Sequence, residues 1–250
     1  MMNLVWLYSL ASVFIVSLIS LIGVFTLGIN VDKLRKILIY LISFSAGALF
    51  GDAFIHLLPE VIKNGGFGIL SAVYILAGIL MFFILEKVIH WQHCHMPITK
   101  THVHPFAYMN LVGDSLHNFI DGLIIAGSYL ASIPVGIATT FAVLLHEIPQ
   151  EIGDFGVLIH GGFKRGRAIM LNFLTALTAV IGTIVALVLG NYISNIQQII
   201  VPLAIGGFLY IAGSDLIPEL HKETKVWISI GQIISFIFGI LIMMSLLLLE

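Results

Sequence analysis

The sequence predicts an all-α integral membrane protein, and three observations carry that reading. Of its 250 residues, 59% are hydrophobic and only 10% are charged, where a soluble domain carries about a quarter. Apolar runs of membrane-crossing length recur from one end to the other, parted by short breaks rich in Gly, Asn and Pro. The basic residues gather almost entirely on one side of those runs. A net charge of −2 offers no footprint for a nucleic acid, and a lone cysteine, Cys94, excludes an internal disulfide framework.

Eight spans fit, each near the roughly 20 residues a helix needs to cross hydrocarbon. The first covers 4–28; with no basic segment before it and no small-residue cleavage site, it reads as a span and not a signal peptide. The second, 35–58, opens after Lys33, Arg35 and Lys36 and is followed by Asn64-Gly65-Gly66. The third, 67–88, leads into a His-rich segment at about 89–105. The fourth (106–130) and fifth (133–160) are joined by the tight Ser132-Ile133-Pro134 turn, and Gly161-Gly162 closes the pair. The sixth, 168–190, starts after Lys164, Arg165 and Arg167 and stops at Gly190-Asn191. The seventh (198–219) and eighth (226–249) flank Lys222 and Lys225.

In this arrangement ten of the eleven basic residues lie on one side and only Lys63 on the other. Basic loops stay cytosolic, so both termini are expected outside, in the plasma (inner) membrane, with the segment after span 3 in the cytosol. The chain also repeats itself. GALFGDAFIHLLPE (Gly47 to Glu60) aligns without gaps to GGFLYIAGSDLIPE (Gly206 to Glu219), five of fourteen positions being identical, with His56 opposite Asp215. Span 2 runs outward and span 7 inward, so spans 1–3 and 6–8 form an inverted pair, a device that flanks midplane sites in transporters. All 250 residues read as a single transmembrane domain.

Spans 4 and 5 carry most of the polarity. An ionisable group at the bilayer centre costs about 2.5–3.5 kcal/mol even on lenient scales, so it stays only where something compensates it. His117 lies fourteen residues before Ala131, and His146 lies fourteen after Ser132. At 1.5 Å per residue, both histidines sit about 22 Å from the turn, at one level. His117 and Asp121 share a helix face, as do His146 and Gln150, and Glu147 and Glu151. Two adjacent ligand sets result: His117, Asp121, His146 and Gln150, and beside them Asn118, Glu147 and Glu151. Mixed imidazole and carboxylate donors suit zinc or another divalent transition metal better than magnesium or calcium. A polar network that merely glues helices is the alternative, but its carboxylates would repel one another without a cation.

Asp114 and Asp154 continue the acidic stripe toward the cytosol and could pass an ion onward, or simply hydrate the helix ends. Asp52 and His56, in the outer part of span 2, could receive one, and Asp215 is the repeat partner of His56. Asn172 either reaches the second ligand set or packs helices. The spacings Gly47/Gly51 and Gly182/Ala186/Gly190 read as helix packing. The segment from His90 to His104 adds His93, Cys94, His95, Met96 and His102, a metal-collecting loop or a solvated linker; one cysteine matches no fixed zinc pattern.

DSLHNFIDG (Asp114 to Gly122) and HEIPQEIGDFG (His146 to Gly156) resemble the fourth- and fifth-helix signatures of the ZIP family of divalent metal transporters. GDAFIHLLPE and GGFLYIAGSDLIPE are similar to that family's second- and seventh-helix motifs, so the likeness covers nearly the whole chain. The subfamily it most resembles is the one whose fifth helix reads HEIPHE; Gln150 stands where that subfamily usually has His. The resemblance implies a 3+2+3 helix arrangement, a metal path between helices 2, 4, 5 and 7, and a paired metal site. It assigns the first site to His117, Asp121, His146 and Gln150 and the second to Asn118 and Glu147, with Asp121 and Gln150 touching both.

The function expected is therefore transport of divalent metal ions, Zn2+ foremost, into the cytosol. The partners are the ions and the lipid bilayer, with room for a homodimer and none for nucleic acid. An intramembrane zinc-dependent hydrolase is the enzymatic alternative, with Glu147 as general base. Its HExxH motif is broken here, because Gln150 replaces the second His and Pro149 interrupts the helix. A metal sensor would use the His-rich segment but leave the midplane residues unexplained.

Overall fold

A chain this apolar must satisfy its backbone groups internally, and helices do so within one segment. The computed structural model describes residues 2–22, 31–90, 105–193 and 195–249, and all regular structure in them is helical. α1 (Met2–Ile19) runs into a 3-10 turn at Ser20–Ile22. α2 (Val31–Gly51) continues through a π-helical turn, Asp52–Leu57, into α3 (Leu58–Gly65). α4 (Ile69–His90) follows, then α5 (Pro105–Ala131) and α6 (Ile133–His160). α7 (Arg165–Ala176) and α8 (Thr178–Tyr192) are nearly continuous. α9 (Gln197–Tyr210) passes through a second π-helical turn, Ile211–Leu216, into α10 (Ile217–Leu220), and α11 (Val226–Leu246) closes the chain.

The ends follow from local chemistry. Ser132 caps α6, its hydroxyl accepting from the Val135 N–H at 3.3 Å, with Pro134 in the first turn where a missing N–H is harmless. Gly66 (φ +77°) and Gly162 (φ +97°) turn the chain in the left-handed region after α3 and α6.

The second expected span does not stop at 58. Pro59 removes a helical donor and its ring crowds the carbonyl four residues back, so the preceding turn widens, and the Leu58 N–H bonds Ala53 O, five residues away. Pro218 has the same effect: the Ile217 N–H bonds Ala212 O. The two π turns occupy matching positions of the sequence repeat that pairs Gly47 with Gly206.

Glycines set the closest crossings. A Cβ on Gly47 would sit 2.0 Å from Phe236 O, and one on Gly239 would sit 2.2 Å from Phe44 O, which locks α2 against α11. Gly206 and Gly78 do the same for α9 and α4, at 2.0 Å from Ile75 O and 2.2 Å from Leu203 O. α5 and α8 meet through Gly122 and Gly182. The repeat register that maps Gly47 onto Gly206 thus carries one glycine crossing close to the other. Inside, one apolar cluster joins these helices through Leu49, Ile125, Val143, Ile205 and Phe208, while Ile69, Leu76, Ile234 and Phe238 face outward.

Six stretches among the described residues are long and apolar enough to cross a membrane: Asn3–Ile22, Lys36–Lys63, Ile69–Lys87, Arg165–Tyr192, Gln197–Leu220 and Val226–Leu246. α5 and α6, with 27 and 28 residues, exceed the required length but carry the polar constellation and are not in that set. The first expected span ran to residue 28; the described helix ends at Ile19 and its 3-10 turn at Ile22, and 23–30 lie outside the described residues. The side chain of His90, and His93, Cys94, His95, His102 and His104, also lie outside them.

A methyl group at a crossing must push two helix backbones apart. Gly206→Ala is expected to destabilise the folded protein by about 1–3 kcal/mol, the range for overpacking. Gly166→Ala, which meets nothing within 4 Å, is expected to be neutral. Thermal unfolding in detergent checks this: equal midpoints for the two variants would contradict the crossing.

Candidate metal site

The antiparallel pair α5 and α6 brings His117 and His146 to one level, Nε2 to Nε2 3.3 Å. Two carboxylates close around them. Asp121 Oδ2 lies 3.5 Å from His117 Nε2 and 3.2 Å from His146 Nε2. Glu147 Oε1 lies 3.3 Å and 3.5 Å from the same two nitrogens. The four ligating atoms fall within 4.8 Å of one another, and all four residues are buried. Neither oxygen of Asp121 nor Oε1 of Glu147 has a hydrogen-bond partner among the described residues. Buried carboxylate oxygens left in that condition are costly unless a positive charge meets them. One divalent cation would meet four donors here at once, two nitrogen and two oxygen, a set that suits zinc.

The surroundings orient the ligands. His146 Nδ1 lies 3.2 Å from Ala142 O, and an N–H there leaves Nε2 with its lone pair facing the carboxylates. Phe82 meets the His117 ring edge-on at 5.6 Å and Phe208 meets His146 at 6.2 Å, walling the cluster with apolar surface.

The other expected residues take distinct positions. Asn118 is fully buried beside the cluster; its Nδ2 donates to Asp114 Oδ1 at 2.8 Å, and its Oδ1 has no partner among the described residues. Glu151 accepts from Asn172 Nδ2, so the fully buried Asn172 fastens α7 to α6 next to the cluster. Gln150 is half-buried and lines a cavity together with His117. On the opposite side, Asp52 is fully buried and accepts from Thr139 Oγ1 at 2.9 Å, while His56 Nε2 lies 2.8 Å from Met243 O.

The cavity has a volume of about 570 Å³ and is lined in part by His117. Asp114, Asp154, Asp215, Glu86 and Glu219 contribute to its wall. Ile124, Ala142, Val143 and Ile205 are buried in the apolar cluster that joins the helices.

The sequence matches the family described as ZIP zinc transporter over residues 3–107 and 93–247. The chain belongs to that ZIP family. Zinc transporter ZIP13 of Mus musculus is 32% identical over 249 residues, covering 82% of this chain and 69% of that protein. Zinc transporter ZIP13 of Danio rerio is 33% identical over 266 residues, covering 85% and 75%. Zinc transporter zipt-7.1 of Caenorhabditis briggsae is 30% identical over 304 residues, covering 94% and 77%. Membership makes this ZIP chain a metal-ion transporter rather than an enzyme, and nothing supports the intramembrane hydrolase.

One contributor to the ZIP site escaped the sequence reading. Pro149 sits inside α6 and lacks the N–H that would bond Leu145 O, the carbonyl next to His146. Ser45 of α2 supplies the missing donor, its Oγ lying 2.6 Å from Leu145 O. The proline is visible in the sequence and announces an orphan carbonyl; which helix answers it depends on the packing of α2 on α6. Ser45→Ala is expected to lower stability by about 0.6–2 kcal/mol, the range for interhelical hydrogen bonds in membranes. Ser45→Thr keeps the hydroxyl and is expected to lose less. The check is thermal unfolding of both variants in detergent, and an unaffected Ser45→Ala midpoint would contradict the role.

Proposed function

We propose that the chain carries Zn2+ into the cytosol, binding it in transit between α5 and α6 at His117, Asp121, His146 and Glu147. The four buried donors that converge with unspent carboxylate oxygens are the observation that carries this reading. Asn118, Gln150 and Glu151 border the same ligands and extend the site toward a second ion. The zinc-transporter names of the relatives favour zinc as cargo.

Eight crossings in a 3+2+3 order accommodate the helices, with α5 and α6 as the central polar pair. The matched π turns and the matched glycine crossings support the repeat of spans 1–3 in 6–8. The cavity opens beside Lys222, on the side where ten of eleven basic residues are expected, which supports a cytosolic mouth and termini outside. Asp52 and His56 then belong to the entry side. Asp114, Asp154 and Asp215 belong to the exit. A cavity that runs from His117 to Lys222 is what a transporter open to one compartment would present.

His146→Ala removes a donor common to the whole cluster and is expected to lower zinc uptake into proteoliposomes by at least about ten-fold, with normal membrane incorporation. Near-normal uptake at matched incorporation would overturn the assignment.

A further inference from the structure

We propose that Asp114 and Asp154 form a separate, oxygen-only cation station below the histidine cluster, which takes a partly hydrated divalent ion at the floor of the cavity. The proposal rests on the transport reading above and adds a second, chemically different stop to it.

Three observations converge. First, the two carboxylates are held in the same way. Asp114 Oδ1 accepts from Asn118 Nδ2 at 2.8 Å, and Asp154 Oδ1 accepts from Asn110 Nδ2 at 3.0 Å. In each, the remaining oxygen, Oδ2, has no hydrogen-bond partner among the described residues. Each carboxylate is thus clamped by one oxygen and offers the other. Asp114 does so while only 5% exposed, where an unmet charge is expensive.

Second, the two line one cavity from neighbouring helices, Asp114 on α5 and Asp154 on α6. Asp114 is three residues before His117, and Asp154 is eight after His146, about 4.5 and 12 Å below the histidine level. Side chains lean toward the N-terminus of their helix. On antiparallel helices that tilt carries Asp114 away from the histidines and Asp154 toward them, so the two lean together. Gln150 lies between the two levels and lines the same wall.

Third, the space fits a hydrated ion. A cavity of about 570 Å³ holds several waters besides a cation. With no imidazole in its donor set, the station prefers hard, octahedral ions of the manganese class and holds zinc more weakly than the cluster above. A descending ladder of zinc affinity is what release toward the cavity requires.

The test reads manganese binding to the purified full chain by the loss of the free Mn2+ signal in electron paramagnetic resonance. Asp121→Asn with Glu147→Gln removes the carboxylates of the upper cluster and serves as background. Adding Asp114→Asn and Asp154→Asn keeps the acceptors that Asn118 and Asn110 use and removes only the charge, and is expected to weaken manganese binding at least ten-fold. Unchanged affinity in that chain overturns the station. So does a loss produced instead by Glu86→Gln or Glu219→Gln, which would put the ion at the cavity rim. Should the double replacement fail to fold, Asp154→Asn alone is expected to weaken binding measurably, and unchanged affinity in that variant is equally fatal. Zinc uptake by the unaltered chain separates the two claims: its absence sinks the transport reading, whereas normal uptake with unaltered manganese binding sinks the station alone.

Discussion

Two buried carboxylates face two imidazoles inside an apolar helix bundle, and that is the constraint on which this structure depends. Both oxygens of Asp121 and Oε1 of Glu147 lack a hydrogen-bond partner among the described residues. Asp121 and Glu147 are almost completely buried, and water cannot reach them to share their charge. Unpaired charges in such surroundings are tolerated where function needs them and a counter-ion arrives. The histidines compensate only in part, since a neutral imidazole donates at one nitrogen only and that of His146 is turned to Ala142 O. A divalent ion would complete it with four donors. Much of the surrounding architecture then reads as a means of holding α5 and α6 in the register that brings these residues together: the capped turn at Ser132, the Gly122 and Gly182 crossing on α8, and the Asn172 fastening from α7.

Proline recurs wherever the helices must depart from regularity. Pro149 lies three residues after His146 and frees Leu145 O, which Ser45 answers from α2. Pro59 and Pro218 widen the turns before them into π turns at matching places of the repeat. The first π turn carries Asp52 and His56 into the interior; the second lays Ser214 and Asp215 along the cavity. One local distortion thus serves opposite sides of the site. On one side its residues are buried, and on the other they line the cavity. The inverted repeat proposed above would generate this asymmetry if its two copies occupied different states.

Much of this was legible beforehand because membrane helices obey few rules. Length and apolar content marked the chain as helical and membrane-crossing, and counting outward from Ala131 and Ser132 put His117 and His146 at one level. The helices apolar enough to cross a membrane were legible from apolar content alone. What could not be read is where side chains turn once helices pack. Glu151 and Asn118 were grouped with the ligands by helical spacing, yet each spends a polar contact elsewhere, on Asn172 and Asp114. Gln150 shares a helix face with His146 but lines the cavity. The continuation of α2 through Pro59 was missed because proline usually ends a helix; a π turn absorbs it instead. Ser45 carried no signal of its own, since a serine in a span is ordinary until the carbonyl it answers is known.

The central claim is that the transported ion is held by both imidazoles and both carboxylates at once. X-ray absorption at the zinc K edge reports that directly, provided that the histidines between His90 and His104 are first replaced by serine so that they contribute no signal. The zinc-loaded chain is then expected to show a first shell of nitrogen and oxygen with the scattering pattern of two imidazoles, falling to one in His117→Ala. A shell of oxygen alone, or one that His117→Ala leaves unchanged, would contradict the account.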